Sequence, residues 1–105
     1  MSDLLEKKNH YNYLYSFYGQ TLTAKQQSIF ESYYVYDYSL SEIASGLSIS
    51  RNAVFDTLKV VEASLDNMES KLNLGSKMNE LKNVLNEYEE KAPELVVKVR
   101  EIMDL

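Results

Sequence analysis

The segment from Ser39 to Leu65 constrains the fold most, because it contains signals for two helices joined by only a few residues. Ser39 with Glu42 has the spacing of a capping box, and Ser50 is a candidate N-cap for the following helix. Helices joined so closely cross at a steep angle, with a small residue at the crossing and apolar residues on the facing sides. The small residue is Ala44, and the apolar residues are Ile43, Leu47, Ile49, Val54 and Leu58. This pattern predicts a helix-turn-helix over residues 39–65.

The turn of this motif departs from the common pattern at one position. Gly is frequent four residues after the small residue, whereas this chain has Ser48 there and Gly46 two residues earlier. A serine tolerates the left-handed backbone region poorly, so we expect a slightly altered turn. Gly46 is the residue expected to supply the backbone freedom that a tight turn needs.

The rest of the chain also has helical spacing, and residues that break helices are scarce, with one Pro and three Gly among 105 residues. A first helix is expected over about residues 4–18, and Thr23 with Gln26 forms a second capping box. In the C-terminal third, residues 75–76 are expected to interrupt or bend the helix. Pro93 fits the first turn of a last helix.

These signals predict an all-α fold of about five helices in one domain, residues 1–105. Its parts are two aromatic N-terminal helices (1–38), the helix-turn-helix (39–65) and a C-terminal helical extension (66–105). We expect the first two helices to pack through aromatic pairs with hydroxyls at the rim, some of the Tyr side chains remaining exposed. Apolar stripes in the extension favour self-association, most simply as a dimer. They consist of Met78, Leu81, Leu85 and Tyr88, and of Leu95, Val96, Val99, Ile102 and Met103.

Composition and charge narrow the function. The chain has no Cys, which excludes a disulfide framework and a thiolate metal site. Its only His, His10, has no partner pattern for a metal site or a catalytic triad, so we expect neither an enzyme nor a cofactor. The first eight residues contain no long apolar run, which predicts no signal peptide or membrane insertion and favours the cytoplasm. The net charge of -5 argues against a generic polyanion binder.

The sequence also resembles known families. The run LTAKQQSIFESYYVYDYSLSEIASGLSISRNAVFDTLKVVEASL is similar to the fourth region of bacterial sigma factors, where a capped helix leads into a helix-turn-helix. The chain as a whole more closely resembles the YlxM-like family of small bacterial proteins, through NYLYSFYGQTLT, YYVYDYSLSEIA and SRNAVFD. This resemblance implies a regulatory protein associated with the signal recognition particle pathway. It implies no catalytic residue.

The second helix of such a motif enters the DNA major groove through its N-terminal residues. With Val54, Leu58 and Val61 turned inward, the outward face contains Ser50, Arg51, Asn52, Phe55, Asp56 and Lys59. Arg51 can contact a guanine and Asn52 an adenine, each through two hydrogen bonds. Ser50 and the helix N-terminus can hold a phosphate, and Lys59 completes the candidate nucleic-acid contacts.

An alternative is a protein–protein adaptor acting on signal recognition particle components or a targeting GTPase. Residues 50–65 contain two cations and two anions, whereas a typical DNA-binding protein neutralises roughly six to ten phosphates. A large aromatic side chain at Phe55 also suits a protein partner, and Tyr36 and Tyr38 are further candidate partner contacts. The sequence leaves both alternatives open.

Overall fold

The computed structural model describes residues 2–104. Within this range the chain forms six α-helices and one short 3-10 turn, Gly19–Thr21. The helices are α1 (Ser2–Tyr18), α2 (Ala24–Tyr34), α3 (Leu40–Leu47), α4 (Arg51–Leu72), α5 (Leu74–Glu87) and α6 (Pro93–Met103). The predicted all-α fold with a helix-turn-helix is confirmed, with one helix more than the expected number.

Residues 2–73 form one compact unit, and its core is built around α4 as far as Leu65. Helices α1, α2 and α3 all pack on α4. The inward orientation predicted for Val54, Leu58 and Val61 is confirmed, because all three are buried, and together with the buried Leu65 they form an apolar stripe along α4. The other buried residues of this core are Leu14, Tyr18, Leu22, Ile29, Phe30, Tyr34, Ile43 and Ala44.

Local capping determines where the helices of this unit begin. Both predicted capping boxes form: the Thr23 hydroxyl accepts the backbone N–H of Gln26, and the Ser39 hydroxyl accepts that of Glu42. In each pair the longer side chain accepts the backbone N–H of the cap residue in return. These bonds satisfy backbone donors that the first helical turn leaves without partners.

The turn between α3 and α4 differs from the expectation. Ser48, not Gly46, adopts the left-handed conformation, with φ of 56°. Gly46 remains inside α3, and the backbone N–H of Ser48 bonds to the carbonyls of Ala44 and Ser45. Leu47 was expected among the facing apolar residues, but it is 44% exposed, since α3 ends there and its side chain faces away from the core. Ile49 contacts the core after the turn.

Four tyrosine hydroxyls of α1 and α2 donate hydrogen bonds to carboxylates. Tyr11 bonds to Asp66 at 2.7 Å, Tyr18 to Glu69 at 2.6 Å and Tyr34 to Glu62 at 2.5 Å, and all three carboxylates belong to α4. Tyr15 bonds to Glu31 of α2 at 2.5 Å.

The rings that bear these hydroxyls also pair with other aromatic rings. Phe30 stacks between Tyr15 and Tyr34, with centroid distances of 4.2 and 4.5 Å. The expected aromatic packing of the first two helices, with hydroxyls at its rim, is therefore present. In addition, the hydroxyls of Tyr11, Tyr18 and Tyr34 hydrogen-bond α1 and α2 to α4.

The second unit, residues 74–104, contains α5 and α6. Asn73 ends α4 in the left-handed conformation, with φ of 56°, so the interruption precedes the expected position at residues 75–76. Asn is among the few non-Gly residues that enter this region readily, and Gly75 lies inside α5. The Arg100 guanidinium joins the two helices by donating to Glu89 at 3.0 Å and to Asn86 at 2.9 Å.

Few side chains of this second unit are shielded from solvent. Among its large apolar residues only Leu85 and Val96 are buried, and Pro93 begins α6 as predicted. No helix in the described part of the chain has the length and apolar character required to cross a membrane.

Candidate nucleic-acid interface

The N-terminal turn of α4 is the centre of the candidate interface. The Ser50 hydroxyl accepts the backbone N–H of Ala53 at 3.0 Å, as an N-cap does. The backbone N–H of Ile49 bonds to the carbonyl of Ala44 at 3.1 Å, so the turn is fixed to α3 immediately before the cap. This local structure aims the first residues of α4 away from the core, as a helix-turn-helix requires.

Arg51 and Asn52 are both exposed on this turn. Within residues 2–104, neither side chain makes a hydrogen bond or an ion pair, so their donors remain available to a ligand. The buried residues Val54 and Leu58 lie on the opposite side of α4. The geometry therefore provides what the sequence predicted for these two residues, a guanidinium and a carboxamide presented together to solvent.

Lys59 lies elsewhere. It follows Arg51 by eight positions, which is about 12 Å along a helix axis. Its Nζ lies 3.6 Å from Glu62 Oε1 and 5.2 Å from the centre of the Phe55 ring. The structure thus separates Lys59 from Arg51 and Asn52 and associates it with an aromatic ring and a carboxylate.

The three predicted partner contacts are exposed but do not form one group. Phe55 is 44% exposed, Tyr36 is 64% exposed and Tyr38 is 52% exposed. The two tyrosines lie between α2 and α3, where their backbone N–H groups bond to the carbonyls of Glu31 and Ser32. Within the described residues, no ring contact or hydrogen bond connects either of them with Phe55.

The charges near the interface include two features that matter for binding. Asp56 is exposed one turn after Asn52, where it opposes a phosphate backbone. Glu62, by contrast, is buried, with 6% of its surface exposed. It therefore contributes less negative charge to the outer surface of α4 than its formal charge suggests. Its position four residues after Leu58, on the apolar stripe, is the signal that could have revealed its burial.

The described residues include no group of three His, Asp or Glu side chains that could hold a metal ion. His10 Nε2 lies 2.9 Å from Asp66 Oδ1, and Tyr11 bonds to the other oxygen of the same carboxylate. This arrangement attaches α1 to α4 and leaves no open site between the groups.

Comparison with known proteins places the chain in a family. The family described as "Putative helix-turn-helix protein, YlxM / p13 like" (UPF0122) matches residues 5–105. The UPF0122 protein YlxM of Bacillus subtilis (strain 168) is 46% identical over 88 residues, covering 84% of this chain and 80% of that protein.

Two further relatives agree with this assignment. A UPF0122 protein of Bacillus pumilus (strain SAFR-032) is 46% identical over 86 residues, covering 82% of this chain and 78% of its own length. A UPF0122 protein of Geobacillus sp. (strain WCH70) is 39% identical over 87 residues, covering 83% and 79%. The chain therefore belongs to the UPF0122 family of YlxM/p13-like helix-turn-helix proteins.

Proposed function

We propose that the chain is a non-enzymatic regulatory protein that binds DNA through the N-terminal turn of α4 and takes part in the signal recognition particle pathway. The observation that supports DNA binding is the exposure of Arg51 and Asn52 on a capped helix end without partners among residues 2–104. The pathway, and with it a cytoplasmic location, rests on the resemblance to YlxM-like proteins described above.

The charge near this turn predicts how such binding depends on salt. Arg51 and the N-terminus of α4 offer few contacts to phosphates, and the exposed Asp56 opposes them. For about two phosphates neutralised, the slope of log K against log salt is about -2 for one protomer, and a dimer doubles it. We therefore expect weak binding by one protomer, with base contacts by Arg51 and Asn52 contributing much of the specificity.

The test is a titration against a duplex DNA library with a randomised centre, at salt concentrations from about 50 to 200 mM. Arg51→Ala is expected to weaken binding and to lower the salt slope by about one. The matched control is Lys71→Ala, which removes an exposed cation from the last turn of α4, about 30 Å along the helix axis from Arg51. Absence of binding near 50 mM salt, or equal losses in the two variants, would contradict the proposal.

A second candidate function is that of a protein–protein adaptor, and the exposure of three large aromatic residues favours it. Phe55, Tyr36 and Tyr38 are available for a partner such as a signal recognition particle component or a targeting GTPase. Binding of such a component that varies little with salt and is lost in Phe55→Ala would support this candidate. Unchanged binding in that variant would remove Phe55 from the contact.

We also propose that the C-terminal unit mediates self-association, with a dimer favoured. A pair of short helices with two buried large apolar side chains cannot form a sufficient core alone. The exposed apolar residues of the unit are Leu74, Leu81, Val84, Tyr88, Leu95, Val97 and Ile102. Light scattering measures the mass directly, and a monomer at all concentrations tested would refute the proposal.

A further inference from the structure

A cleft on the first unit combines an apolar wall with unequal charges. Its apolar side is formed by Tyr33 of α2, Leu40 of α3, and Phe55 and Leu58 of α4. The free volume is about 70 Å³, which is larger than a single water requires and suits the end of one branched aliphatic side chain. Lys7 of α1 also lines the cleft, so α1, α2 and α3 all contribute to it together with α4.

The polar side of the cleft contains two cations and one anion. Lys7 Nζ lies 3.7 Å from Glu62 Oε2, and Lys59 Nζ lies 3.6 Å from Glu62 Oε1. Glu62 Oε2 also accepts the hydroxyl of Tyr34 at 2.5 Å. The cleft therefore has one excess positive charge, on a chain whose net charge is -5.

Both ammonium groups retain unused hydrogen-bonding capacity. Their distances from Glu62 exceed those of direct N–H···O bonds, and within residues 2–104 neither lysine makes another hydrogen bond. The Lys7 and Lys59 side chains are 39% and 52% exposed, so a second acceptor can reach them from solvent. A carboxylate located between the two ammonium groups would balance the excess charge.

We propose that this cleft is a docking site for an acidic amphipathic segment of a partner protein. An aliphatic side chain of that segment packs against Phe55 and Leu40. A carboxylate of the same segment lies between Lys7 and Lys59. The proposal rests on the adaptor candidate for Phe55 and specifies its partner. A phosphate backbone fits the site less well, because it offers no apolar group to the wall formed by Phe55 and Leu40.

A defined peptide tests this proposal without knowledge of the natural partner. The probe is a short capped helical peptide that presents Leu and Glu side chains four residues apart on one face. Two matched peptides replace either every Glu by Lys or every Leu by Ala. Titration of the ¹⁵N-labelled protein is expected to shift the backbone amide signals of Leu40, Phe55 and Lys59 with the first peptide only.

Charge reversal locates the binding. Lys7→Glu is expected to weaken the peptide by about tenfold or more, because it replaces an attraction by a repulsion next to an apolar wall. Lys71→Glu makes the same charge change on an exposed site in the last turn of α4, outside the cleft, and it is expected to weaken peptide binding less than about twofold. Far-UV circular dichroism checks that both variants fold. If Lys7→Glu does not fold, Lys7→Ala replaces it, with a smaller expected loss of peptide affinity.

Four results would overturn the proposal. They are absence of peptide binding, equal binding of the Lys-containing peptide, equal losses in the two charge reversals, and stronger binding of tripolyphosphate than of the peptide at the same signals. A change in molecular mass caused by Lys7→Glu would instead assign the cleft to a second copy of the chain. Because no nucleic acid is present, these results are independent of the DNA titration.

Discussion

The bond between Tyr34 and Glu62 gives the sharpest prediction about stability. Tyr34→Phe removes the hydroxyl that donates to Glu62 at 2.5 Å, and both residues are buried. Hydrogen bonds to charged groups stabilise proteins by roughly 1.5–3 kcal/mol. The lysines at 3.6 and 3.7 Å still face the carboxylate after the change, so we expect a loss of about 2 kcal/mol in the free energy of unfolding. For a domain of this size that loss lowers Tm by about 8–16 °C.

Urea denaturation followed by circular dichroism measures this loss. Tyr36→Phe is the matched control, since its hydroxyl is exposed and without a hydrogen bond among residues 2–104, and we expect a change below about 0.5 kcal/mol. A double-mutant cycle with Glu62→Gln is expected to show a coupling energy above about 1 kcal/mol. If Tyr34→Phe were as stable as Tyr36→Phe, the hydroxyl would not be needed to satisfy the buried carboxylate.

Three further predictions concern the turn and the tyrosines. Gly46→Ala is expected to increase the free energy of unfolding by about 0.5–1 kcal/mol, because Gly46 is helical and exposed and no atom lies near an added Cβ. A lower urea midpoint in this variant would contradict the prediction. Ser48→Gly is expected to increase stability by up to about 1 kcal/mol through relief of its left-handed backbone, measured in the same way, and a loss would show that the serine side chain stabilises the turn. Burial and bonds to carboxylates raise the pKa values of Tyr11, Tyr15 and Tyr34 in the fold, whereas tyrosines of the unfolded chain ionise near pH 10. The free energy of unfolding is therefore retained below about pH 10 and decreases above it. Each of the three tyrosines contributes at most about 1.4 kcal/mol per pH unit, or about 4 kcal/mol together. A urea midpoint that stays constant up to about pH 11 would refute this.

Local signals in the sequence determined the helix starts and the main core stripe. A capping box involves residues three positions apart, and the stripe on α4 repeats within one helix, so neither requires knowledge of distant contacts. The same local reasoning placed Arg51 and Asn52 outward. It was also sufficient to predict that Pro93 begins a helix.

Features that depend on distant residues were not predictable in this way. The partners of the buried Glu62 carboxylate, Tyr34 and Lys7, precede it by 28 and 55 positions, so these contacts could not be read from local spacing. The intrinsic flexibility of glycine favours Gly46 for the turn, but Gly46 is helical in the structure and α3 continues to Leu47. The bond from Ile49 to Ala44 then requires the reversal at Ser48. The contacts of Lys59, by contrast, are local, because Phe55 lies four residues before it and Glu62 three residues after it.

The hydrogen bonds between tyrosine hydroxyls and carboxylates also determine how this protein emits light. The chain has nine Tyr and no Trp, so excitation at wavelengths that its three Phe do not absorb gives emission from tyrosine alone. A phenol hydrogen-bonded to a carboxylate can transfer its proton in the excited state, which suppresses tyrosine emission. Tyr11, Tyr18 and Tyr34 are bonded in this way to α4, and separation of α1 and α2 from that helix would remove the suppression. Brighter emission thus reports, without any attached label, the moment at which the aromatic helices leave the helix that presents Arg51.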